Sequence, residues 1–550
     1  MKNIFRPKLI DSLKNYSGKT LVSDLVAGVI VAIIALPLSI ALAIASGVSP
    51  EKGIYTAIIA GFVIALFGGS RVNISGPTAA FATIVAGIVA TFGVNGLVIA
   101  TLMAGVMLIL MGILKFGSLI KYIPCTITTG FTSGIAVTIV IGQLKDFLGL
   151  TFAPGTHAVE SMEKLEAVIA SITTINPWAL AVGALGLLIL IVWPMLGKIG
   201  KKIPASLIAV LVGTLAVKLF SIPVNTIGDL YTISGALPAF SIPEINLDLI
   251  VALVPSAFTI AMLAGIESLL SCVVSDGMIG DRHNSNTELI AQGLGNICSG
   301  LFGGIPATGA IARTAANVKN GGKSPIAGIV HAVVLFLVLI VLMPLAAFIP
   351  MPIIAAILFM VAYNMCEWRG FVKLCKTAPL ADIIVLVVTF VLTVVFDLVV
   401  AIAVGMVLAV VFFMKRMADN SKIRKWERYE DGDSRFRHVP EHTSVFEIDG
   451  PMFFASADKF TDLPIDEDSR VLILRMHNVP ALDATATKNL FSIQKTCEKK
   501  NITLILAHVN PQPLSVMKRA KFIDAVGEEN FVSNIDEAIK KAEDIVSSEN

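Results

Sequence analysis

The sequence predicts an α-helical polytopic membrane protein that ends in a small soluble α/β domain. Three observations support this fold class. The 550 residues have a mean hydropathy of +0.82 and only 15% are charged, which excludes an ordinary soluble protein. Residues 24–414 are long apolar runs with short breaks, whereas charges are frequent from Lys415 onward. Two of the apolar segments are broken by Gly and Pro residues at matching positions.

The distribution of charge divides the chain into four predicted regions. Residues 1–23 are a polar, basic N-terminal segment and residues 24–415 a transmembrane domain. Residues 416–435 are a basic linker, and residues 436–550 are the soluble domain. A net charge of +2, with no basic patch interleaved with aromatics, gives no reason to expect nucleic-acid binding. The six cysteines form no CxxC pair, so we expect buried thiols and neither a disulfide framework nor a zinc site.

The transmembrane domain is predicted to contain fourteen spans in two sets of seven. The first set lies at 25–46, 53–68, 76–92, 96–115, 122–143, 176–196 and 204–220. The second set lies at 248–275, 287–302, 306–317, 324–348, 351–366, 380–396 and 398–415. Basic residues concentrate in the breaks that follow even-numbered spans: Lys115, Lys121, Lys198, Lys201, Lys202, Arg282, Arg369, Lys373 and Lys376. By the positive-inside rule both termini are cytoplasmic, which agrees with an even number of spans in the inner membrane.

The third position of each set holds a segment that cannot be an ordinary membrane helix. Residues 68–80 contain a Gly pair and Pro77, and residues 303–322 contain two Gly pairs and Pro306. Pro77 suits the first position of a helix, with Ser75 or Gly76 as its cap, so this helix is predicted to begin inside the membrane. Because seven is odd, the two halves are inverted, and paired broken segments in inverted halves indicate a substrate site at the midplane.

The chemistry expected of that site is anion binding. The N-terminus of a helix offers free backbone N–H groups and the positive end of the helix dipole. The candidate anion ligands are backbone groups at Gly76, Thr78, Ala79, Thr308, Ile311 and Ala312, with Arg313 adding positive charge. The alternative interpretation is that the Gly-Pro clusters only kink two packed helices and that Arg313 snorkels to an interface.

Glu267, in the eighth span, is the other charge expected at membrane depth, and no basic residue is nearby in sequence. A charge at the bilayer centre costs about 2.5–3.5 kcal/mol on insertion scales. Three arrangements could offset this: an ion pair with Arg313, protonation, or Na⁺ bound together with Ser271 and carbonyls near Thr308. The first is purely structural, whereas the other two make Glu267 the residue that couples a cation to transport.

Several motifs occur in a characteristic order. They are a Pro-containing first span, ISGPTAA in the third, GIESLLSCVVSD in the eighth, RHNSNTELIAQGLGN in the ninth, then GGIPATGAIARTAANVKNGGKSPIAG. This series closely resembles the sulfate permease (SulP) family of anion transporters. The resemblance implies transport or exchange of sulfate, bicarbonate, chloride or dicarboxylates by an inverted repeat with core and gate domains, commonly as a homodimer. It also implies an anion between the third- and tenth-span half-helices and cation coupling at Glu267.

Two departures from the family pattern leave the ions open. Many sulfate-transporting relatives carry a glutamine after the first-span proline, where this chain has Leu38. Some sodium-dependent bicarbonate relatives carry Asp at the position of Glu267. Neither the anion nor the choice between Na⁺ and H⁺ follows from the resemblance.

The soluble tail alternates strands with helices. Strands are predicted within 443–454, 470–476 and 502–509, and helices at 484–499 and 536–546, the last opened by a Ser533-x-x-Asp536 cap. The tail resembles the STAS domain that ends SulP transporters. In soluble STAS relatives a phosphorylatable serine follows the strand–helix junction, and Thr485 matches that position. The alternative role for Thr485 is a local helix cap.

These observations predict a secondary active transporter of a small inorganic anion, sulfate or bicarbonate, coupled to Na⁺ or H⁺ and needing no other cofactor. No catalytic constellation is present, so an enzyme is not expected. The alternatives are an uncoupled anion exchanger or channel and a dicarboxylate transporter of the same family. A nucleobase permease would have little need for Arg313, and a membrane-anchored signalling protein would not need two broken helices.

Overall fold

The computed structural model describes residues 5–14, 16–118, 123–153, 158, 160–197, 203–232, 235–244, 246–396, 398–426, 439–460 and 463–548. The chain forms two compact units, residues 1–406 and 407–550. Four lysines of the predicted charge pattern lie outside the described residues, namely Lys121, Lys198, Lys201 and Lys202. Residues 427–435 of the predicted linker also lie outside them.

Helices build the first unit. Nine of the described helical stretches are long and apolar enough to cross a membrane, and one of them, Ala79–Ile113, is 35 residues long and holds two predicted spans. All fourteen predicted spans fall on described helices, which confirms the fold class. Spans 1 and 2 are Gly18–Ala45 and Pro50–Phe67, spans 3 and 4 share Ala82–Ile113, and spans 5, 6 and 7 are Cys125–Leu148, Pro177–Val192 and Ala205–Phe220. Spans 8 to 14 are Leu247–Ile279, Ser285–Leu301, Ile311–Lys319, Ile326–Leu342, Met351–Cys366, Leu380–Val395 and Leu398–Asn420. The first unit also contains short helices at Lys8–Leu13, Ser161–Ala170, Ile227–Leu230 and Trp368–Thr377, and the division between the two units falls within span 14.

Gly93 separates span 3 from span 4. Its φ of +68° and ψ of −174° interrupt the Ala82–Ile113 helix. Such a conformation strains any residue with a Cβ, whereas the space around Gly93 is open. The backbone conformation, and not crowding, therefore requires glycine at this junction.

The packing of the spans reveals the inverted repeat. Spans 1–4 and 8–11 pack into one group, and spans 5–7 pack with spans 12 and 13 in a second group. Contacts recur when the halves are exchanged. Span 11 packs on spans 1 and 2 as span 4 packs on spans 8 and 9, and span 12 packs on span 6 as span 5 packs on span 13. The two groups correspond to the predicted core and gate domains.

Glycines bring the core spans close together. A Cβ on Gly105 of span 4 would lie 2.7 Å from the carbonyl oxygen of Gly293 in span 9, and a Cβ on Gly293 would lie 2.5 Å from the Gly105 oxygen. Lipid tails are as apolar as the helix surfaces, so helices in a membrane associate mainly through close van der Waals packing. Small residues favour this packing because they let the helix backbones approach each other. Span 9 is thereby held against span 4, which fixes the polar residues it carries.

Strands are numbered along the chain, with β1 (Ser75–Gly76) and β2 (Thr308–Gly309) in the first unit and β3 to β7 in the second. The second unit contains a five-stranded sheet in the order β3-β4-β5-β6-β7. The strands are Lys422–Lys425, Thr443–Asp449, Val471–Asn478, Thr503–Ala507 and Phe531–Val532; only β3 runs antiparallel to its neighbour among these described strands. Helices Ala484–Lys499, Pro511–Arg519, Phe522–Val526 and Ile535–Ser548 cover the sheet. Alternate residues of β5 enter opposite cores: Leu472 and Leu474 face one side, whereas Val471 and Ile473 face the other. Both faces are buried, as expected for a mostly parallel sheet.

The predicted basic linker at 416–435 is wrong over its first part. Span 14 continues to Asn420, and Lys422–Lys425 then forms β3 at the edge of the sheet. Its residues alternate between exposed and half-buried positions, and Arg424 pairs with Asp449 of β4 at 2.5 Å. Charged residues are common on edge strands because they discourage pairing with further chains. The basic residues of Lys422–Lys425 suggested a linker, although this segment forms a strand.

The cap predicted for the last helix is also wrong. The side chain of Asn534 accepts a hydrogen bond from the Glu537 N–H at 2.9 Å, and the Glu537 carboxylate accepts from the Ser533 N–H at 3.0 Å. Asn534 is therefore the N-cap, one residue after the predicted Ser533, and the Glu537 carboxylate reaches back to the N–H of the residue before the cap. Asparagine and serine are about equally good N-cap residues, so the local sequence is compatible with a cap at either Ser533 or Asn534.

Candidate functional site

Two short strands form a bridge between the halves of the transmembrane domain. β1 (Ser75–Gly76) pairs antiparallel with β2 (Thr308–Gly309), with Ser75 opposite Gly309 and Gly76 opposite Thr308. A two-fold rotation that exchanges the two strands superposes Ser75 on Thr308 and Gly76 on Gly309, since it preserves this pairing. Each strand leads within a few residues into a helix, span 3 on one side and span 10 on the other. Because the strands are antiparallel, the two helices leave in opposite directions with their N-termini at the bridge.

The helix starts differ from the predicted positions. Span 3 opens with a 3-10 turn at Ala79–Phe81 and has Thr78 as its N-cap, so it does not begin at Pro77 with Ser75 or Gly76 as cap. Span 10 begins at Ile311, five residues after the predicted start. In both cases the preceding backbone is extended because it pairs across the bridge. That pairing is a tertiary contact, which local helix signals do not report.

Backbone N–H groups are available at both helix starts. Neither Thr78 nor Ala310 caps its helix with a side chain in the described structure. The first N–H groups of a helix have no partner within the helix, so those of Ala79, Ile311 and Ala312 can donate to a ligand. Ile311 and Ala312 are exposed and Thr78 is partly so, whereas the two strands of the bridge are buried. The predicted anion ligands Gly76, Thr78, Ala79, Thr308, Ile311 and Ala312 thus lie together on the bridge and its two helix starts.

Arg313 connects the two halves from within. Its side chain is only 3% exposed, and Nη2 donates to the carbonyl oxygen of Pro77. Nη1 has no hydrogen-bond partner in the described residues and lies 2.8 Å from where a Cβ on Gly76 would be. Gly76 thus leaves the space that the guanidinium needs. The snorkelling alternative is inconsistent with this position, and a buried donor remains free to meet an anion.

Glu267 lies beside the start of span 3. Its Oε2 accepts a hydrogen bond from Thr78 Oγ1 at 3.0 Å, and the side chain is partly buried. No ion pair joins Glu267 to Arg313 among the described contacts, because the guanidinium reaches Pro77 instead. The structural ion pair is therefore not formed. Glu267 has no cationic side chain as a partner among the described residues and lies next to the candidate anion site. These observations favour one of the two remaining roles, protonation or Na⁺ binding.

Ser271, predicted to share a cation with Glu267, faces a different network. Its hydroxyl donates to Asn73 Oδ1 at 2.7 Å, and its Oγ lies 3.1 Å from Thr314 Oγ1. Ser268 lies nearer the bridge: its Oγ is 2.8 Å from Thr308 Oγ1 and accepts from the Gly309 N–H at 2.9 Å. Ser268 directly follows Glu267 in the chain but was not among the predicted site residues.

Glu288 of span 9, which the sequence analysis also missed, holds the segment that precedes β1. The carboxylate is fully buried, and four donors surround it. Oε2 accepts from the N–H groups of Gly69 at 2.8 Å and Ser70 at 3.2 Å. Oε1 accepts from Asn73 Nδ2 at 2.8 Å and Gln292 Nε2 at 3.0 Å. An acidic residue in a first helical turn is usually explained by the helix dipole, so no sequence signal marked this network.

In the soluble domain Thr485 does not cap its helix. Asp483 is the N-cap, and its side chain accepts from the Ala486 N–H at 2.9 Å. Thr485 is exposed in the first turn. The cap interpretation of Thr485 is therefore wrong, and its regulatory role stays a prediction.

Comparison with known proteins places this arrangement in context. Residues 21–389 match the Sulfate permease family, and residues 436–538 match the STAS domain. The chain is 40% identical over 533 residues to the putative sulfate transporter YvdB of Bacillus subtilis, covering 95% of this chain and 98% of that protein. It is 32% identical over 541 residues to the bicarbonate transporter BicA of Picosynechococcus sp., covering 94% of each.

Solved structures show the same fold. The murine Solute Carrier 26 family member A9 anion transporter superposes with a TM-score of 0.88 at 18% identity, covering 98% of this chain and 94% of that one. The transmembrane domain of a cyanobacterial bicarbonate transporter BicA gives a TM-score of 0.62 at 30% identity, covering 72% and 98% respectively. From the family match over the transmembrane domain and the identity to full-length relatives, the chain belongs to the sulfate permease family and carries a C-terminal STAS domain.

Proposed function

We propose that this protein is a secondary active transporter of sulfate or bicarbonate in the inner membrane, coupled to Na⁺ or H⁺ through Glu267. The observation that carries the proposal is the β1–β2 bridge, which joins two uncapped helix N-termini beside Glu267. Relatives named as sulfate and bicarbonate transporters support an anion as the substrate.

The anion would be bound by two helix N-termini and one arginine. Free N–H groups at Ala79 and at Ile311–Ala312 would donate to its oxygens, and the dipole ends of spans 3 and 10 favour negative charge there. The unpartnered Nη1 of Arg313 adds a charged donor next to Gly76. Backbone donors do not distinguish sulfate from bicarbonate, which matches the presence of both activities among the relatives.

Glu267 would couple the cation by electrostatics. At an effective dielectric near 20, two like charges about 8 Å apart repel by about 2 kcal/mol, or about thirtyfold in affinity. A proton or Na⁺ at Glu267 removes that repulsion, so cation and anion bind cooperatively and each raises the affinity for the other. The hydrogen bond from Thr78 places the carboxylate at the helix start where the anion would bind.

Transport would follow from movement of the core group against the gate group. The bridge belongs entirely to the core group, so the anion would travel with it and meet opposite sides of the membrane in turn. We propose that both termini are cytoplasmic and that the functional assembly is a homodimer, in keeping with the charge pattern and the family.

The test is uptake of labelled sulfate or bicarbonate into proteoliposomes under an inward Na⁺ gradient, an inward H⁺ gradient or neither. A Glu267→Gln protein is measured beside the wild type, with Glu166→Gln as a control, because Glu166 is exposed on the helix Ser161–Ala170 away from the bridge. Gradient-driven accumulation of one anion that only Glu267→Gln abolishes supports the proposal. Accumulation that ignores both gradients and survives in Glu267→Gln would instead identify an uncoupled exchanger or channel.

A further inference from the structure

A groove on the side of the transmembrane domain lies outside the anion site. It runs between span 7 and a wall made by spans 1, 2 and 11 and the turn Met343–Phe348, and encloses about 410 Å³. Its described lining is apolar except for Thr214 and Lys218 of span 7. Leu211 and Leu215 on its outer edge are 57% and 58% exposed, so the groove opens toward the hydrocarbon of the bilayer.

The two polar groups of the groove have no polar partner in the described chain. Thr214 Oγ1 is buried and makes no hydrogen bond. Lys218 forms no ion pair with a described carboxylate, and its Nζ lies 4.5 Å from the centroid of the Phe348 ring. The two residues are four apart, so they share a face of span 7 and are about 6 Å apart along its axis. Lys218 is in the last turn, which puts the cation at the end of the span and the hydroxyl one turn deeper.

We propose that this groove binds an anionic glycerophospholipid, with its phosphate at Lys218, an ester carbonyl accepting from Thr214, and one acyl chain along the apolar wall. The order of groups along the groove is cation, hydroxyl and hydrocarbon surface. A glycerophospholipid presents phosphate, ester and acyl chain in the same order. An unsatisfied hydroxyl in an apolar site is unfavourable, so an acceptor at this depth stabilises the complex.

The position of the groove connects lipid binding to transport, and this step rests on the proposed function. Span 7 belongs to the gate group, whereas spans 1, 2 and 11 belong to the core group. Movement of one group against the other changes the width of the groove. A ligand that binds one conformation better shifts the population toward that conformation. An anionic lipid would therefore regulate the transport cycle from the side.

Binding is tested with full-length protein in phosphatidylcholine nanodiscs that contain a photoactivatable phosphatidylglycerol or its phosphatidylcholine counterpart. Crosslinked peptides are identified by mass spectrometry. Lys218→Gln removes the charge and Thr214→Val removes the hydroxyl. Lys145→Gln is the matched control, because Lys145 also lies in the last turn of a span, with Nζ 4.9 Å from the centroid of a phenylalanine ring, but is not part of the groove lining.

The expected result is labelling of residues 205–220 and 338–349 at least fivefold stronger with the phosphatidylglycerol probe. In Lys218→Gln, labelling by the phosphatidylglycerol probe should fall to the level of the phosphatidylcholine probe. In Thr214→Val, labelling by both probes should decrease. In Lys145→Gln, labelling by both probes should match that of the wild type. Equal labelling by both probes, or equal effects of the two lysine variants, overturns the proposal. Since crosslinking needs no transport, specific labelling without any anion uptake would reject the proposed function and leave the lipid site standing.

The regulatory step is tested by uptake in liposomes with and without phosphatidylglycerol. Wild-type uptake should change at least twofold with the headgroup, whereas Lys218→Gln should lose that dependence and Lys145→Gln should keep it. Headgroup dependence that persists in Lys218→Gln contradicts regulation through this groove.

Discussion

Replacing Glu288 tests whether the buried network of span 9 positions the anion site. In Glu288→Gln one oxygen becomes an NH₂ group, which cannot accept. Whichever way the amide turns, it faces two donors: either the Gly69 and Ser70 N–H groups or the Asn73 and Gln292 amides. Two buried donors lose their acceptor, at about 1–3 kcal/mol each. The substitution also removes the desolvation penalty of a buried charge, which offsets part of this cost. We therefore expect a net decrease in stability of about 2–4 kcal/mol.

The assay is the half-life of the purified protein at a fixed elevated temperature, because membrane proteins of this size commonly unfold irreversibly. A loss of about 2 kcal/mol corresponds to roughly a thirtyfold shorter half-life if the network breaks before the unfolding transition state. Glu288→Asp keeps all the acceptor sites on a shorter side chain and should fall between wild type and Glu288→Gln. Glu166→Gln, an exposed change, should remain within about 0.5 kcal/mol of wild type.

The effect on transport separates positioning from bulk stability. Because Asn73 and the segment after Ser70 lead directly into β1, Glu288→Gln should also weaken anion affinity at temperatures where the protein stays folded. Wild-type half-life and wild-type anion affinity in Glu288→Gln would refute the reasoning. A shorter half-life with unchanged affinity would limit Glu288 to a structural role.

Three further predictions concern single positions. Gly76→Ala should weaken anion uptake at least tenfold because its Cβ would lie 2.8 Å from Arg313 Nη1, whereas Gly87→Ala, with nothing within 4 Å, should leave uptake unchanged; concentration-dependent uptake compares them. Burial raises the pKa of the Cys497 thiol to about 11, so about one molecule in a thousand carries the thiolate at pH 8; a maleimide should label exposed Cys125 and spare Cys497 until the protein is denatured. Burial opposes ionisation of Asp449, but hydrogen bonds from both neighbouring strands outweigh it and hold its pKa below the usual range. Its stabilisation is therefore present at pH 7 and disappears as the pH falls through that lowered pKa. Asp449→Asn should accelerate hydrogen exchange in β4 at pH 7, and the difference from wild type should vanish in acid; a difference independent of pH would contradict this.

The features that the sequence predicted are those set by local physics. Apolar length identified the spans, and the Gly-Pro clusters marked the two segments that are broken, because those residues act on their own backbone. Arg313 and Glu267 could be identified as candidate site residues because a charged side chain within an apolar membrane segment is energetically costly and usually functional. Each of these inferences uses only residues adjacent in the chain.

The features that escaped prediction depend on residues far apart in sequence. The β1–β2 bridge joins positions more than 200 residues apart, so the true helix starts could not be read locally. Glu288 gains its role from Gly69, Ser70 and Asn73, and Ser271 turns away from Glu267 because Asn73 and Thr314 offer partners. Strand β3 was missed because charge at a sheet edge resembles a linker.

The bridge also carries information about the origin of the chain. Continuing the two-fold exchange of Ser75 with Thr308 along both strands pairs Pro77 with Ala310, Ala79 with Ala312, and Ala80 with Arg313. Such self-matching is expected where two copies of one seven-helix ancestor, inserted in opposite orientations, met each other before their genes fused. After fusion each copy could change independently, and the arginine appears on one side only. Arg313 has Ala80 as its counterpart under this exchange, so one half of the chain alone supplies the positive side chain at a site that both halves build.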